Sequence, residues 1–219
     1  MDPCRSALVP PERIRRWFEN FESRHGRTDL TVVGDRLVAT AADRDEAVAA
    51  LPFGRRYDGP ADAAAFAEAA GESIPWGVLL VRKGGFAVAS LEGPTVLASK
   101  VGRRHVQGRT KAGGQSQQRF ARRRDNQARQ AFEAAAEHAH RILVNESTLL
   151  VRALVCGGDR SAVEAVLSDP RLKHLSVVRT EPWLAVPDPR RAVLDQAIVD
   201  ARSARITLRS AGDDLTGLA

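Results

Sequence analysis

The residues best suited to chemistry in this sequence form a short polar loop, Gly113-Gly114-Gln115, which is followed at once by Ser116. Adjacent glycines adopt backbone angles that other residues avoid, and they let another backbone approach closely. Ser116 is a good N-cap, so a helix is expected to begin there and to leave Gln115 displayed at a loop tip. Such a loop can orient water and offer backbone N–H groups to a developing oxyanion.

The surrounding residues do not complete a catalytic set. No carboxylate and no cysteine occur between Glu92 and Asp125, and the only histidine there is His105. A self-contained acid–base or nucleophile–base pair is therefore missing, and Ser116 is interpreted as a cap. No local cluster of His, Cys, Asp and Glu predicts a metal site, and no cofactor is expected. The loop would have to act in a site that another molecule completes.

Basic residues are concentrated around this loop. The chain has 219 residues, with 33 Lys and Arg against 27 Asp and Glu, and a net charge of +6. Nine cations and no acid lie between residues 100 and 124, so the rest of the chain, with 24 basic and 27 acidic residues, carries −3. This distribution predicts a local surface for a polyanion, nucleic acid above all. The nine are Lys100, Arg103, Arg104, Arg109, Lys111, Arg119, Arg122, Arg123 and Arg124.

Four of these arginines fall in the first two turns of the helix expected after Ser116. The positive end of the helix dipole disfavours cations there, and choices that oppose local stability tend to mark functional sites. Helix N-terminal amides and arginines together form a phosphate-binding surface. The alternative interpretation is a solvated positive face without a ligand.

The first 72 residues predict a small α+β unit. Pro10-Pro11 and Gly26 bound an amphipathic helix, and Gly34-Asp35 suits a tight hairpin turn. In the polar loop between two alanine-rich stretches, Arg55, Arg56 and Tyr57 are further candidates for docking on RNA. The predicted elements are a helix over 10–26, strands over 30–33 and 37–40, and alanine-rich helices over 43–51 and 61–71.

Residues 73–208 predict a second domain, a mixed sheet flanked by helices, with a long helix after the Gly-Gly-Gln loop. The whole chain is therefore expected to be α+β or α/β, and residues 209–219 are expected to form a flexible tail. The predicted strands are 76–82, 86–91, 95–106, 149–156 and 174–179, and the predicted helices are 117–144, 161–168 and 189–204.

The composition indicates to which broad class of protein the sequence belongs. Hydrophobic residues at 43% and charged residues at 27% are typical of a folded globular chain. No apolar run approaches the roughly 18 residues of a membrane-spanning helix, and the first residues lack the apolar core of a signal peptide. A cytoplasmic protein without a membrane partner is expected. Two cysteines cannot build a disulfide framework, and Cys156 is interpreted as a buried thiol.

The string GGQSQQRFARRR has a recognisable context: the hairpin WGVLLVRKGGFAVASLEG precedes it, and the strand-turn LVRALVCGG follows the long helix. This pattern, over about residues 74–204, resembles the catalytic middle domain of eukaryotic and archaeal class-1 peptide release factors. That family places its Gly-Gly-Gln loop in the peptidyl-transferase centre of the large ribosomal subunit and promotes hydrolysis of the peptidyl-tRNA ester. The resemblance implies that Gly113 and Gly114 shape the loop and that Gln115 lies beside the ester.

The resemblance also implies that Arg119, Arg122 and Arg123 contact rRNA or the acceptor end of tRNA. The concentration of positive charge adds Arg103, Arg104, Arg109, Lys111 and Arg124 as candidates for RNA binding. No Asn-Ile-Lys-Ser stop-codon motif and no counterpart of the GTPase-binding domain are found, so codon-dependent termination is not implied. The pattern is most similar to the stand-alone Vms-like release-factor domain in a compact actinobacterial form.

Relatives with that domain free nascent chains from stalled large subunits. The resemblance therefore implies a codon-independent peptidyl-tRNA hydrolase whose partners are the large subunit and peptidyl-tRNA, and which is a monomer when free. Two alternatives stay open at this point. One is a nuclease that acts on the tRNA acceptor end, and the other is a non-catalytic factor that binds the ribosome or RNA through its arginines.

Overall fold

Two units, each with its own sheet and its own core, make up the described part of the chain. The computed structural model describes residues 6–103, 130, 132–144 and 150–210. One unit contains the described residues up to Glu72 together with those from Val199 onward, and the other runs from Ser73 to Ile198. Both sheets carry helices, so the predicted mixed α+β fold is confirmed.

The helices and strands are numbered in chain order. The helices are α1 (Ile14–His25), α2 (Ala63–Gly71), α3 (132–143), α4 (Arg160–Leu167) and α5 (Arg191–Ala201). The strands are β1 (Ser6–Val9), β2 (Thr28–Val33), β3 (Arg36–Ala41), β4 (Glu46–Ala50), β5 (Pro75–Arg82), β6 (Gly85–Glu92), β7 (Thr95–Arg103), β8 (Ala153–Gly158), β9 (Arg179–Leu184) and β10 (Ala204–Arg209). Short 3-10 helices lie at Pro11–Arg13, Pro52–Gly54 and Pro170–Ser176.

The first unit is an antiparallel sheet in the order β1-β10-β4-β3-β2, and its core is shared with α1 and α2. The predicted first helix and hairpin are confirmed: α1 ends at Gly26, whose φ is 87°, and Gly34, with φ 64°, opens the turn between β2 and β3. Asp62 caps α2, since its carboxylate accepts from the backbone N–H of Ala65 at 2.8 Å.

The predicted alanine-rich helix over 43–51 is wrong, because residues 46–50 form β4. Ala47 and Ala49 are fully buried in the core shared with α1 and α2, and β4 is hydrogen-bonded to β3 on one side and to β10 on the other. The helix preference of alanine is below about 1 kcal/mol per residue, so two complete strand ladders outweigh it.

One of these two neighbours comes from the far end of the chain. Strand β10 follows α5 and lies between β1 and β4, and its Ala204 and Ile206 are fully buried in the first core. The sequence pattern predicts no strand here and extends the last helix to residue 204, whereas α5 ends at Ala201.

The second unit is a mixed sheet in the order β7-β6-β5-β8-β9. Strands β5, β6 and β7 are antiparallel, as the predicted hairpin at Lys83-Gly84-Gly85 requires, and β8 and β9 run parallel to β5. Buried side chains of α3 and α4 complete the core. In the described ranges, no helix combines the length and the apolarity that a bilayer crossing requires.

The predicted strand over 174–179 is wrong, since Pro170–Ser176 is a 3-10 helix and β9 begins only at Arg179. Asp169 accepts from the backbone N–H of Arg171 at 2.9 Å and thereby caps this helix, whose first residue is proline. Leu172 and Leu175, three residues apart, are both buried, as the 3-10 repeat demands. The strand predicted over 149–156 begins at Ala153.

Candidate functional site

Strand β7 leads into the Gly-Gly-Gln segment, and α3 follows it. The predicted catalytic residues Gly113, Gly114 and Gln115 lie outside the described residues. The same holds for the predicted RNA contacts Arg104, Arg109, Lys111, Arg119, Arg122, Arg123 and Arg124. Arg103 is the last residue of β7, and its backbone pairs with Gly85 of β6. The described part of the site is therefore the frame that holds the two ends of the segment.

Helix α3 is seated firmly on the second sheet. Ala135, Ala139, Ile142 and Leu143 are buried at three- and four-residue spacing, as predicted for this part of the helix over 117–144. Gly77 of β5 makes room for α3, because a Cβ atom at this position would lie 2.7 Å from Leu143 Cδ2. A glycine within a strand often marks such a close approach.

Phe86 of β6 contacts both β7, which precedes the Gly-Gly-Gln segment, and α3, which follows it. Its ring lies over Gly102 of β7, where a Cβ atom would come within 2.3 Å of Cε1. The same ring stacks on the imidazole of His138 of α3, with centroids 5.4 Å apart and planes at 28°. One buried aromatic side chain thus fixes the position of the strand that enters the segment against that of the helix that follows it.

Arg171 belongs to the 3-10 helix Pro170–Ser176 and ties this helix to α3. It donates from Nη1 to Glu137 Oε2 at 2.7 Å, and from Nη2 to Asp169 Oδ2 at 2.9 Å. These hydrogen bonds hold the pKa of Asp169 at about 2 and also lower that of Glu137. The second unit therefore keeps both carboxylates ionised around one guanidinium.

A group of metal-ligand type lies in the first unit. Ligand atoms of His25, Asp43 and Asp45 all lie within 4.8 Å of one another. His25 Nδ1 is 2.8 Å from Asp43 Oδ2, and Asp43 Oδ1 accepts from the backbone N–H of Asp45 at 3.0 Å. The backbone hydrogen bond is the main cause of the lowered pKa of Asp43, followed by His25. These contacts order the turn before β4.

Two of the three docking candidates of the first unit, Arg55 and Tyr57, make hydrogen bonds within that unit, and the third, Arg56, is exposed. Tyr57 is only 3% exposed, and its hydroxyl donates to the Pro60 carbonyl at 2.6 Å. Arg55 is half-buried and donates from Nη1 to Glu72 Oε2 at 2.7 Å. Cys156 is buried as expected, and burial raises the pKa of its thiol to about 12.

Sequence reasoning missed Phe86, Gly102 and Arg171 as residues of the frame. A signal existed for Gly102, since a glycine inside a strand commonly accommodates a neighbouring group. No comparable signal existed for Arg171, because its contact with Glu137 joins residues 34 positions apart in the chain.

The residues that form the frame lie within the range matched by a known family model. A family model described as the Actinobacteria/chloroflexi VLRF1 release factor matches residues 74–207, well over half of the chain. The chain belongs to this release-factor family. The VLRF1 match begins just before β5, contains the Gly-Gly-Gln segment and extends into β10, which is paired in the sheet of the first unit. The predicted Vms-like release-factor identity is thereby confirmed.

One solved structure is distantly similar to this chain. A solved structure described as an archaeal protein is similar to this chain at a TM-score of 0.36 and 14% sequence identity. The match covers 75% of this chain and 51% of the archaeal chain, so the chain corresponds to about half of that protein's length. The search of curated proteins returned no match.

Proposed function

We propose that this protein hydrolyses the ester of peptidyl-tRNA on the large ribosomal subunit without reading a codon, and so frees nascent chains from stalled ribosomes in the cytoplasm. The observation that supports it most is the release-factor family match over residues 74–207, inside which Gly113, Gly114 and Gln115 are contiguous. The cations of residues 100–124 supply the polyanion-binding character that a site in rRNA demands.

In this reaction, water attacks the carbonyl carbon of the ester that joins the peptide to the 3′-terminal ribose of the tRNA. The backbone N–H of Gln115 donates to the developing oxyanion, and its side-chain amide orients the water. The C–O bond to the ribose then breaks, and a proton that originates from the water passes to the ribose oxygen. The products are a free peptide carboxyl group and intact tRNA.

The segment from Glu92 to Asp125 has no carboxylate between its ends. This composition suits a pocket walled by phosphates, where an additional anion would be repelled and where the tRNA and rRNA can relay the proton. The glycines would let the backbone approach the ester, and the arginines Arg109, Arg119, Arg122, Arg123 and Arg124, with Lys111, Arg103 and Arg104, would hold the loop against RNA.

The role of the frame in this proposal is to position the loop. Rate enhancement of this kind depends on holding a donor and a water within a fraction of an ångström of the productive geometry. Because Phe86 contacts Gly102 before the segment and His138 after it, it fixes β7 and α3 relative to each other on either side of the segment. The second unit thus serves as the rigid support, while the chemistry belongs to the loop and the ribosome.

A release assay tests the proposal. Purified large subunits that carry labelled peptidyl-tRNA are incubated with the protein, with Gln115→Ala and with the matched control Gln118→Ala. We expect the wild-type and control proteins to separate peptide from intact tRNA, and Gln115→Ala to slow release by a factor on the order of 100 to 1000 while it still binds the subunits. Unchanged release by Gln115→Ala would contradict the catalytic role. A tRNA product shortened at its 3′ end would instead identify a nuclease.

A further inference from the structure

Three side chains able to carry positive charge lie near one another where β7 borders α3. Lys100 is an exposed residue of β7, and His138 and Arg141 lie three residues apart on α3. Arg141 donates from its guanidinium to His138 Nδ1. Burial lowers the pKa of His138, and the charges of Arg141 and Lys100 lower it further. Lys100, His138 and Arg141 are called the β7–α3 cluster below.

The strand register explains why Lys100 lies near His138 and Arg141 of α3. Lys100 pairs with Val88 and Gly102 pairs with Phe86, and directly opposed residues of an antiparallel pair project from the same face. Lys100 therefore shares the face of Val88 and Phe86, which pack into the core with buried residues of α3. Because β7 is at the edge of its sheet, Lys100 stays exposed beside that contact.

The neighbouring acid offsets the charge of the cluster only in part: Glu137 acts electrostatically on His138 and Arg141, but it is hydrogen-bonded to another cation. Glu137 precedes His138, but its carboxylate accepts from Arg171 at 2.7 Å. Within the described ranges, neither Lys100 nor Arg141 has a carboxylate within ion-pair distance. Two exposed cations thus share one small surface with an imidazole whose protonation they oppose, an arrangement that works against stability. Local choices of this kind tend to mark functional sites.

The donors of the cluster suit a phosphodiester. Arginine and lysine are the residues that most often contact phosphate oxygens in nucleic-acid complexes. Since His138 Nδ1 accepts from Arg141, a neutral His138 carries its proton on Nε2 and can donate from there. An anion bound between Lys100 and Arg141 would relieve their repulsion. Lys100 is also the first of the nine cations that run to Arg124, so the cluster continues the predicted polyanion surface onto described residues.

We infer that the β7–α3 cluster binds the phosphodiester backbone of RNA, with Lys100 and Arg141 as the charged contacts and His138 as a neutral donor between them. The inference deepens the proposed function, on which it rests for the source of the RNA, the large ribosomal subunit. Contacts to the backbone carry no base specificity, so the cluster would set the orientation of the frame on the rRNA.

A charge-removal experiment with the full chain tests the inference. The double variant K100Q/R141Q is compared with wild type and with K173Q/R152Q, which removes the same charge from two other exposed positions of the second unit. Affinity is measured over a series of KCl concentrations with two probes, purified large subunits and deproteinised large-subunit rRNA. Both cluster side chains are exposed, so we expect the fold to persist, and circular dichroism and thermal melting verify it.

With both probes, we expect K100Q/R141Q to bind on the order of 10- to 100-fold more weakly and to reduce the log–log salt slope by about two, one for each phosphate contact. The control double variant should retain the affinity and slope of wild type. Unchanged binding to rRNA would overturn the inference. Weaker binding to subunits but not to rRNA would overturn it as well, because the partner would then be a ribosomal protein. Equal losses in both double variants would also overturn it, because they would show a general effect of charge.

The release assay separates this inference from the proposed function. K100Q/R141Q should raise the subunit concentration needed for half-maximal release and leave the rate at saturation unchanged, whereas Gln115→Ala should lower the rate at saturation. If Gln115→Ala releases peptide normally, the proposed hydrolase fails, and the rRNA measurements still decide the β7–α3 cluster. If wild-type release is normal and K100Q/R141Q binds rRNA as wild type does, only the cluster fails.

Discussion

Gly102 of β7 lies directly beneath the ring of Phe86, so closely that a Cβ atom at this position would stand 2.3 Å from Cε1. The ring cannot withdraw freely, because it is buried and its other contact is the imidazole of His138. A hydrogen in place of a methyl group at residue 102 is therefore what allows β7 and α3 to share one aromatic support.

The variant Gly102→Ala is expected to lower the free energy of unfolding by about 1–3 kcal/mol, the usual cost of overpacking a buried site. It should also slow peptide release, because the ring of Phe86 and the positions of β7 and α3 on either side of the Gly-Gly-Gln segment must shift. Urea unfolding and the release assay measure the two effects. Gly84→Ala is the matched control: its Cβ would meet Asp188 Oδ2 at 2.8 Å, the end of an exposed side chain that can swing away. Equal losses in both variants would argue against the Phe86 support.

Arg171→Gln is expected to destabilise the protein in a pH-dependent way. Hydrogen bonds from Arg171 hold the pKa of Asp169 at about 2, so the fold favours the ionised carboxylate. The resulting stability is complete above the ordinary pKa of 3.8 and is lost as the pH falls toward 2. The variant should therefore be less stable than wild type at neutral pH, and the difference should vanish on acidification.

Urea midpoints of both proteins at several pH values check this prediction. Arg191→Gln serves as a control, since its ion pair with Asp195 joins neighbouring turns of α5 and does not connect two elements. A difference between wild type and Arg171→Gln that stays constant down to the acid limit would show that Arg171 acts through packing and not through its carboxylate partners.

The thiol of Cys156 is expected to resist alkylation in the folded protein. Burial raises its pKa to about 12, so the reactive thiolate is scarce near neutral pH, and the side chain is 1% exposed. Iodoacetamide labelling of a Cys4→Ser variant, read by mass spectrometry, should be slow in buffer and fast in urea. Fast labelling of the folded variant would mean that the β8 face of the core opens readily.

Tyr57→Phe should destabilise the protein by about 1 kcal/mol, because a buried hydroxyl that donates to the Pro60 carbonyl is lost. RNA binding should not change, since Tyr57 offers no exposed surface. The neighbouring Arg56 is exposed, so Arg56→Gln should leave the free energy of unfolding unchanged. Filter binding to large-subunit rRNA, together with urea unfolding, compares the two variants. Weaker RNA binding by Tyr57→Phe at unchanged stability would restore the docking role.

The Gly-Gly-Gln loop and the basic segment could be found without a structure because both are features of residue order. Nine cations without an intervening acid, and an amide placed after two glycines, have physical consequences wherever they occur in a fold. The contacts of the frame could not be found from residue order. Phe86 with His138, and Arg171 with Glu137, are contacts between residues 52 and 34 positions apart, which neither composition nor periodicity reveals.

Local signals also predicted several elements of the fold. Proline at the start and glycine at the end bounded α1, and the Gly34-Asp35 pair produced the turn between β2 and β3, since these residues restrict the backbone through their own chemistry. The three- and four-residue apolar spacing of α3 likewise reports a buried face that any packing partner would cover.

Sequence alone thus determined where α1 ends, where the turn between β2 and β3 occurs, which helix faces are apolar and where the positive charge lies, because each depends on neighbouring residues. Only the tertiary structure decided that residues 46–50 are a strand and that residues 204–209 lie between β1 and β4. A strand's hydrogen bonds are made with partners that are distant in the chain, here across more than 150 positions, and alanine accepts either conformation at little cost. The strand with which a segment pairs, and not the helix preference of its residues, therefore determines whether that segment is a strand or a helix.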